Sequence, residues 1–565
     1  MRPLDFIVLI GALVFFVAYG VWKGRKQKDL EGYLLAGRSQ RWYTVALAIM
    51  ATQASAITFL STPGQAYTDG MRFVQFYLGL PIAMIVLSIT AVPIFHRLKV
   101  YTAYEYLEGR FDLKTRSLAA FLFLIQRGLA CGLTIYAPAI IISTLMRWDL
   151  GVTILVIGIA VVTYTASGGT KAVNHTNFQQ MVVIMVGMFA AFIVLIMSLP
   201  RDVSMLDATR VAGHMGKLNA IDFSFDWQNR YNFWSGLIGG FFLQLAYFGT
   251  DQSQVQRYLS GSSVGQSRLA LLFNGMIKIP MQFFILFIGA MVFAFYQFTA
   301  PPLFFNTAEV RTIQASPYAS EYERLEGEHR LAAEVKSRAA LDYVEASRGD
   351  DRTLVAAAGA RLDAADERVR ELRDEATGLF KQNNPEAATT DTNYVFLTFV
   401  LGYLPVGLVG LVMAAIFAAA MSSTASELNA LASTTIVDIY KRMFHHDATG
   451  LHMVLISKLA TILWGAFAIG FAMYANRLGS LIEAVNILGS LFYGTILGIF
   501  LLAFYVKRVG GTAAFMGAVV GEVAVIWTFR TSDISFLWYN VVGCLVTVGA
   551  ALVIQEMGKL RTREA

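Results

Sequence analysis

Three positions in the run LVMAAIFAAAMSSTASELNALASTTIVDIYKR, residues 411–442, have the chemistry to hold a cation. Ala419, Ser422 and Ser423 stand at i, i+3 and i+4, so they share one face of an apolar helix. One backbone carbonyl and two hydroxyls offer a hard ion neutral oxygen ligands, which suit a monovalent ion that must leave again. The competing reading is close helix packing, which small and hydroxyl residues serve equally well in a membrane. Two cations lie deep in apolar sequence: Arg127 in FLFLIQRGLACGL and Lys278 in NGMIKIPMQFF. An ionisable side chain within a span costs about 2.5–3.5 kcal/mol on insertion scales, so each needs a partner or a task. Arg127 could bind backbone carbonyls or reach the interface, and Lys278 could pair with a carboxylate such as Asp251. Either could instead receive an anionic solute, the guanidinium as a planar fork.

The elements that position these groups are membrane spans. Of 565 residues, 56% are hydrophobic and 15% charged, against about a quarter charged in soluble domains. Repeated apolar runs of about 20 residues define an all-α polytopic membrane protein. Thirteen spans are predicted: 5–22, 43–68, 75–96, 117–146, 151–167, 176–199, 233–258, 266–297, 395–427, 451–474, 478–505, 511–529 and 533–555. Basic residues cluster on one side of these spans: Lys23, Arg25, Lys26, Lys28, Arg97, Lys99, Lys114, Arg116, Arg257, Lys441, Arg442, Lys507, Arg508, Lys559, Arg561 and Arg563. Positive loops face the cytoplasm, so the expected topology in the plasma (inner) membrane has the N-terminus outside and the C-terminus inside. The net charge of +6 belongs to those loops and implies no nucleic-acid partner. The first apolar run lacks a small-residue cleavage site and is read as a retained span. Cys131 and Cys544 lie inside spans, and His445–His446 sits in a basic loop, so neither pair suggests a disulfide or a metal centre.

Two spans are interrupted. VALAIMATQASAITFLSTPGQAYTDG turns polar from Thr52 onward and then meets Pro63 and Gly64, and FWSGLIGGFFLQLAYFGTDQSQVQR carries a glycine pair, Gln244, Tyr247 and Asp251. Non-helical backbone survives at membrane depth only where it lines a cavity, and broken helices are where many secondary transporters bind ion and substrate. If spans 2–6 and 7–11 are inverted repeats, the two interrupted spans correspond. The chain then divides into a peripheral span with a basic loop (1–40), the first repeat and the start of the second (41–297), an outer insertion (298–394), the rest of the second repeat (395–510) and two peripheral spans (511–565). Within the insertion, Leu354, Ala358, Leu362, Ala365, Val369, Leu372, Ala376 and Leu379 follow the spacing of a coiled-coil seam, which predicts a helical hairpin. It is expected to be a solvated extension, the alternative being a docking surface for an outer-face partner.

The motifs PIFHRLKVYTAYEYLEGRF, TIYAPAIII, YTASGGTKAVNHTNFQQ and GTDQSQVQRYLSG, together with the opening run, resemble the sodium/solute symporter family in content and order. The likeness covers roughly residues 40–510 without the insertion, and is strongest to the iodide, monocarboxylate and multivitamin branch. It implies the leucine-transporter-type (LeuT) fold of two five-helix inverted repeats and import driven by sodium. Carried over, the family's common sodium site falls on carbonyls of Ala51, Ala54 and Ala419 and hydroxyls of Ser422 and Ser423. A second sodium site looks degenerate at Asn177, Ala425 and Ser426: two-sodium members have an Asp where Asn177 stands and a hydroxyl where Ala425 stands. One coupled sodium is therefore expected. Comparison with galactose symporters of the family places substrate contacts at Thr58, Tyr77, Gln244, Lys278 and Asn486, with Tyr247 at the inner gate. Phe76 and Arg127 complete the expected set. Tyr77 replaces a sugar-binding Glu and Thr58 a Gln, which argues against a hexose; with Arg127 and Lys278 available to an anion, the expected solute is a small organic anion such as a monocarboxylate. A sugar or polyol, and a membrane sensor with a symporter-like domain, are the alternatives. No acid–base or nucleophile cluster marks an enzyme, and only MGKLRTREA follows the last span.

Overall fold

The computed structural model describes residues 2–24, 35–146, 148–445 and 450–564. Arg25, Lys26, Lys28 and His446 lie outside the described residues, as do the side chains of Lys23, Arg561 and Arg563. Among the described residues, nine helices are long and apolar enough to cross a membrane, and Pro3–Phe16 and Leu150–Thr163 are shorter apolar stretches. The fold opens with α1 (Pro3–Gly24), α2 (Trp42–Gln53), α3 (Ala56–Asp69) and α4 (Leu80–Ile89). Next come α5 (Leu113–Met146), α6 (Leu150–Met197) and the short α7 (Met205–His214).

Both interrupted spans are helix pairs. Span 2 breaks between α2 and α3, at Ala54 (φ −88°, ψ 73°) and Ser55 (φ −75°, ψ 175°). Pro63 and Gly64 do not break it; α3 runs through both to Asp69. Span 7 is a π-helical turn, Ser235–Gly239, leading into α8 (Gly240–Thr250), with a break at Asp251 (φ −78°, ψ 118°) and then α9 (Gln252–Leu259). Its glycine pair serves close packing: a Cβ on Gly240 would lie 2.7 Å from the Phe76 carbonyl oxygen.

The long α10 (Val264–Phe298) leads to a hairpin of α11 (Ala319–Arg348) and α12 (Arg352–Asn383). There follow α13 (Thr392–Tyr403), α14 (Leu408–Thr434, continued as a π-helix over Thr435–Phe444), α15 (Gly450–Ala472), α16 (Leu481–Tyr505), α17 (Gly511–Thr531) and α18 (Leu537–Glu564). The α14 span is 83% buried and the α15 span 28%, so α14 is the central strut and α15 lies at the rim.

Several expectations are corrected. The predicted span 395–427 is two helices, because Pro405 lacks an N–H and Gly407 takes φ 87° between α13 and α14. The stretches 151–167 and 176–199 are joined in one 48-residue helix that ends at Met197, about 72 Å long at 1.5 Å per residue. Without a proline, the glycines between them weaken helix but do not end it. Arg116 and Arg257 are not loop charges. Arg257 is fully buried, and Arg116 bonds Asp438 (Nε to Oδ1, 2.9 Å) and Glu108 (Nη1 to Oε2, 2.7 Å).

The hairpin is seated on the bundle rather than free in solvent. Ala358, Leu362, Val369, Leu372, Ala376 and Leu379 are buried, but Leu354 is 60% exposed because it lies in the first turn, beside the Asp351 cap. Tyr343 stacks on His214 at 4.6 Å, and Ser337 donates to the Phe298 carbonyl at 2.8 Å. The Arg348 guanidinium, 2.6 Å from Asp207 on α7, holds that carboxyl well below the usual range. Inside the hairpin Lys336 is buried 3.5 Å from Asp366, and burial still pushes its ammonium down to about 8. Removing one partner of a buried pair costs about 3–5 kcal/mol. Asp366→Ala should therefore open residues 319–383 to protease by a comparable amount, while Leu354→Ala leaves cleavage unchanged. Equal protection in both variants, measured by limited proteolysis, would refute the packing argument.

Candidate functional site

The two helix breaks face a common interior. At the end of α2 the last carbonyls fall outside the i to i−4 ladder, although the Ala54 N–H still reaches the Met50 oxygen at 2.7 Å. The negative end of the α2 dipole therefore points at the break, which favours a cation there. Facing it, α14 presents its hydroxyl face. The Ser423 hydroxyl donates to the Ala419 carbonyl at 2.8 Å, and the Ser422 hydroxyl donates to Oδ1 of Asn177 on α6. Both serine oxygens keep lone pairs after these bonds. Thr52 of α2 approaches Ser426 of α14 at 3.4 Å. Ala51, Ala54, Ala419, Ser422, Ser423, Asn177, Ala425 and Ser426 are all buried.

Beside this face lies a cavity of about 80 Å³. Thr58, Phe76, Tyr77, Arg127, Gln244, Tyr247 and Asn486 line it, so the structure brings these expected substrate positions together. Lys278 stands apart from the lining. It is fully buried behind Tyr77, its Nζ 5.7 Å from that ring centre, and finds no hydrogen-bond partner among the described residues. The anticipated pairing of Lys278 with Asp251 is not present, because Asp251 bonds to Arg127 instead.

Arg127 is engaged on both arms of its fork. Nη1 donates to Oε1 of Glu427 on α14 at 3.0 Å, and Nη2 donates to Oδ2 of Asp251 and to the Tyr493 hydroxyl at 2.6 Å. Tyr493 on α16 donates onward to Asp251 at 2.9 Å, and the guanidinium lies 5.5 Å from the Tyr247 ring centre. Asp251 caps α9 as well, its Oδ1 accepting from the Ser253 N–H at 2.9 Å. Sequence reasoning missed Glu427, Tyr493 and Gln126. For Glu427 a signal existed: it is a carboxylate in a run of small neutral residues within a span.

Two helices broken beside one polar cavity, inside an all-helical bundle, define a secondary transporter. The comparisons with known proteins agree. The sodium:solute symporter family model matches residues 33–316 and 378–521. A Drosophila melanogaster protein described as a sodium-dependent multivitamin transporter is 28% identical over 93% of this chain and 74% of its own length. A sodium/sialic acid symporter of Aliivibrio fischeri is 24% identical over 98% and 94%, and a mouse sodium-coupled monocarboxylate transporter is 26% identical over 93% and 72%. A solved sodium-coupled sialic acid symporter superposes with a TM-score of 0.75 at 23% identity, covering 98% of each chain, which shows the leucine-transporter-type fold. This chain belongs to the sodium:solute symporter family: a multi-pass membrane transporter with sodium as coupling ion.

The ion cluster sets a stability prediction. Arg127→Met leaves two buried carboxylates without a counter-charge, which costs about 3–5 kcal/mol. Tyr493→Phe removes bonds within the cluster and should cost about 1–3 kcal/mol. Thermal unfolding in detergent, followed by tryptophan fluorescence, should rank wild type above Tyr493→Phe above Arg127→Met. An unchanged midpoint for Arg127→Met would show the cluster to be unimportant for stability.

Proposed function

We propose that this symporter imports a small organic anion of monocarboxylate size together with sodium, across the plasma (inner) membrane. One observation carries the reading: Lys278 is a buried ammonium without a partner among the described residues, one aromatic ring away from the cavity. Burial in the bilayer core makes its charged form costly, and an anionic solute beside Tyr77 would stabilise that form. Gln244 supports the same reading, since both polar atoms of its amide face the cavity without partners among the described residues. The cavity volume of about 80 Å³ equals only a handful of water-sized probes, at about 10–15 Å³ each, and favours a short acid over a large sugar acid. Relatives described as transporters of monocarboxylates and of sialic acid have acidic solutes. Arg127, already neutralised by carboxylates, serves here to hold the cavity wall. We assign the coupling sodium to carbonyls of Ala51, Ala54 and Ala419 and hydroxyls of Ser422 and Ser423. Arg97, Lys99, Lys114, Lys441 and Arg442 support a cytoplasmic face on their side.

The test is uptake into proteoliposomes. Under an inward sodium gradient, radiolabelled propionate should accumulate and galactose should not. Lys278→Met should raise the KM for propionate at least tenfold, with Lys278→Arg recovering part of it. Galactose accumulation, or an unchanged KM in Lys278→Met, would defeat the anion reading. Ser422→Ala or Ser423→Ala should raise the sodium concentration for half-maximal uptake severalfold at similar protein abundance. Full activity of the double variant at low sodium would remove the ion from this face.

A further inference from the structure

Within the ion-paired cluster of Arg127, Asp251 and Glu427 the charges do not sum to zero. Arg127 carries one positive charge and meets two carboxylates, while no ion pair joins Lys278 to either of them among the described residues. Asp251 is fully engaged: Oδ1 accepts from the Ser253 N–H and from its hydroxyl at 2.6 Å, and Oδ2 accepts from Arg127 and Tyr493. Glu427 is not. Its Oε1 accepts from Arg127, while Oε2 has no partner of good hydrogen-bond geometry among the described residues, with the Thr134 hydroxyl and the Cys131 thiol within reach of the carboxylate.

A second orphan oxygen lines the same cavity. Gln126 is 1% exposed, and its Nε2 donates to the Tyr493 hydroxyl at 3.3 Å, which fixes the amide and leaves Oε1 without a partner among the described residues. Two hydroxyls in the wall are placed to accept. Thr134 donates its proton to the Ala130 carbonyl at 3.2 Å and Thr52 to the Ala48 carbonyl at 2.8 Å, so each keeps lone pairs. Glu427 stands four residues beyond Ser423, on the same face of α14 and one turn further along.

We propose that Glu427, with Oε1 of Gln126 and the hydroxyls of Thr134 and Thr52, forms a second sodium site in the cavity wall, separate from the Ala419–Ser423 face. The ligands are hard oxygens, as sodium requires. The cluster has one negative charge in excess, which a monovalent ion cancels; a divalent ion would leave a net positive charge buried. The expectation of a single coupled sodium rests on Asn177 and Ala425, where the family's second site lacks its charge. Glu427 supplies a charge at a different place, so the chain binds two sodium ions.

Binding of radioactive sodium to the purified full-length protein tests this without any solute, so the result is independent of the anion reading. At fixed ionic strength, balanced with N-methylglucamine chloride, the wild type should bind two sodium ions. Glu427→Gln should bind one, and Gln126→Leu should weaken one of the two at least tenfold while leaving the ion pairs of Arg127 in place. Ser423→Ala should weaken the other ion, and the two effects should be independent. One sodium per wild-type chain would overturn the proposal, whether a proton or an ammonium group takes the remaining charge. So would two sodium ions bound with unchanged affinity by Glu427→Gln. Should Glu427→Gln fail to fold, the wild-type stoichiometry and Gln126→Leu still decide.

Discussion

A guanidinium cannot sit unpaired in the middle of a bilayer, and much of this structure follows from how Arg127 is paired. Its partners come from α14, from the break at Asp251 and from α16, so one side chain on α5 ties together elements from across the chain. The break in span 7 is explained by the same contact. Asp251 leaves the helix to cap α9 with one oxygen and to meet Arg127 with the other. A helical Asp251 would forfeit that cap and carry its carboxylate elsewhere on the helix surface. The cost of breaking a buried pair, about 3–5 kcal/mol, therefore stabilises the non-helical backbone that the cavity needs.

The break in span 2 has a different cause, and the difference suits its task. Among the described residues no ion pair braces the break at Ala54 and Ser55, which is set by local backbone geometry and by Thr52 reaching toward Ser426. What it exposes is carbonyl oxygen at the negative end of a helix, opposite hydroxyls that already bond to the Ala419 carbonyl and to Asn177. Dipoles of this kind attract a monovalent ion without trapping it, as a full charge in a dry site would. One break is therefore braced by charge and the other left to neutral oxygen.

These two causes also decide what the sequence discloses. The spans are legible because hydropathy is a sum over neighbours, and the hydroxyl face of α14 is legible because i, i+3 and i+4 are local. Arg127 announces itself as costly, but its partners lie 124 and 300 residues away and no periodicity connects them. The sequence therefore suggests Asp251 as a partner for Lys278 and not for Arg127. Breaker residues misled in span 2, where Pro63 stays helical and the true break falls at an alanine and a serine. Tertiary packing overrode propensity there. Arg116 and Arg257 read as loop charges because a count of basic residues carries no information about burial.

The polar bonds around the site are unequal in strength. Along α3 and α16, Ser61 meets Ser480 at 3.4 Å, Ser480 donates to Gln65 at 2.8 Å, and Gln65 donates to Glu483 at 3.3 Å. Arg230 completes the seam at 2.6 Å from Glu483, with its side chain 51% exposed. Neutral bonds of this kind are worth about 0.5–1.5 kcal/mol each, the bond to the Glu483 carboxylate about 1.5–3 kcal/mol, and a water-screened pair about 0–1 kcal/mol. Splitting a pair of the buried Arg127 cluster costs more than any one of these bonds, about 3–5 kcal/mol, and the cluster is sealed from water. A motion that parts α3 from α16 thus breaks individually weaker bonds than one that splits Arg127 from its carboxylates. Glu427 belongs to the sealed cluster and not to this seam, so parting α3 from α16 would leave the charges of the cavity wall paired.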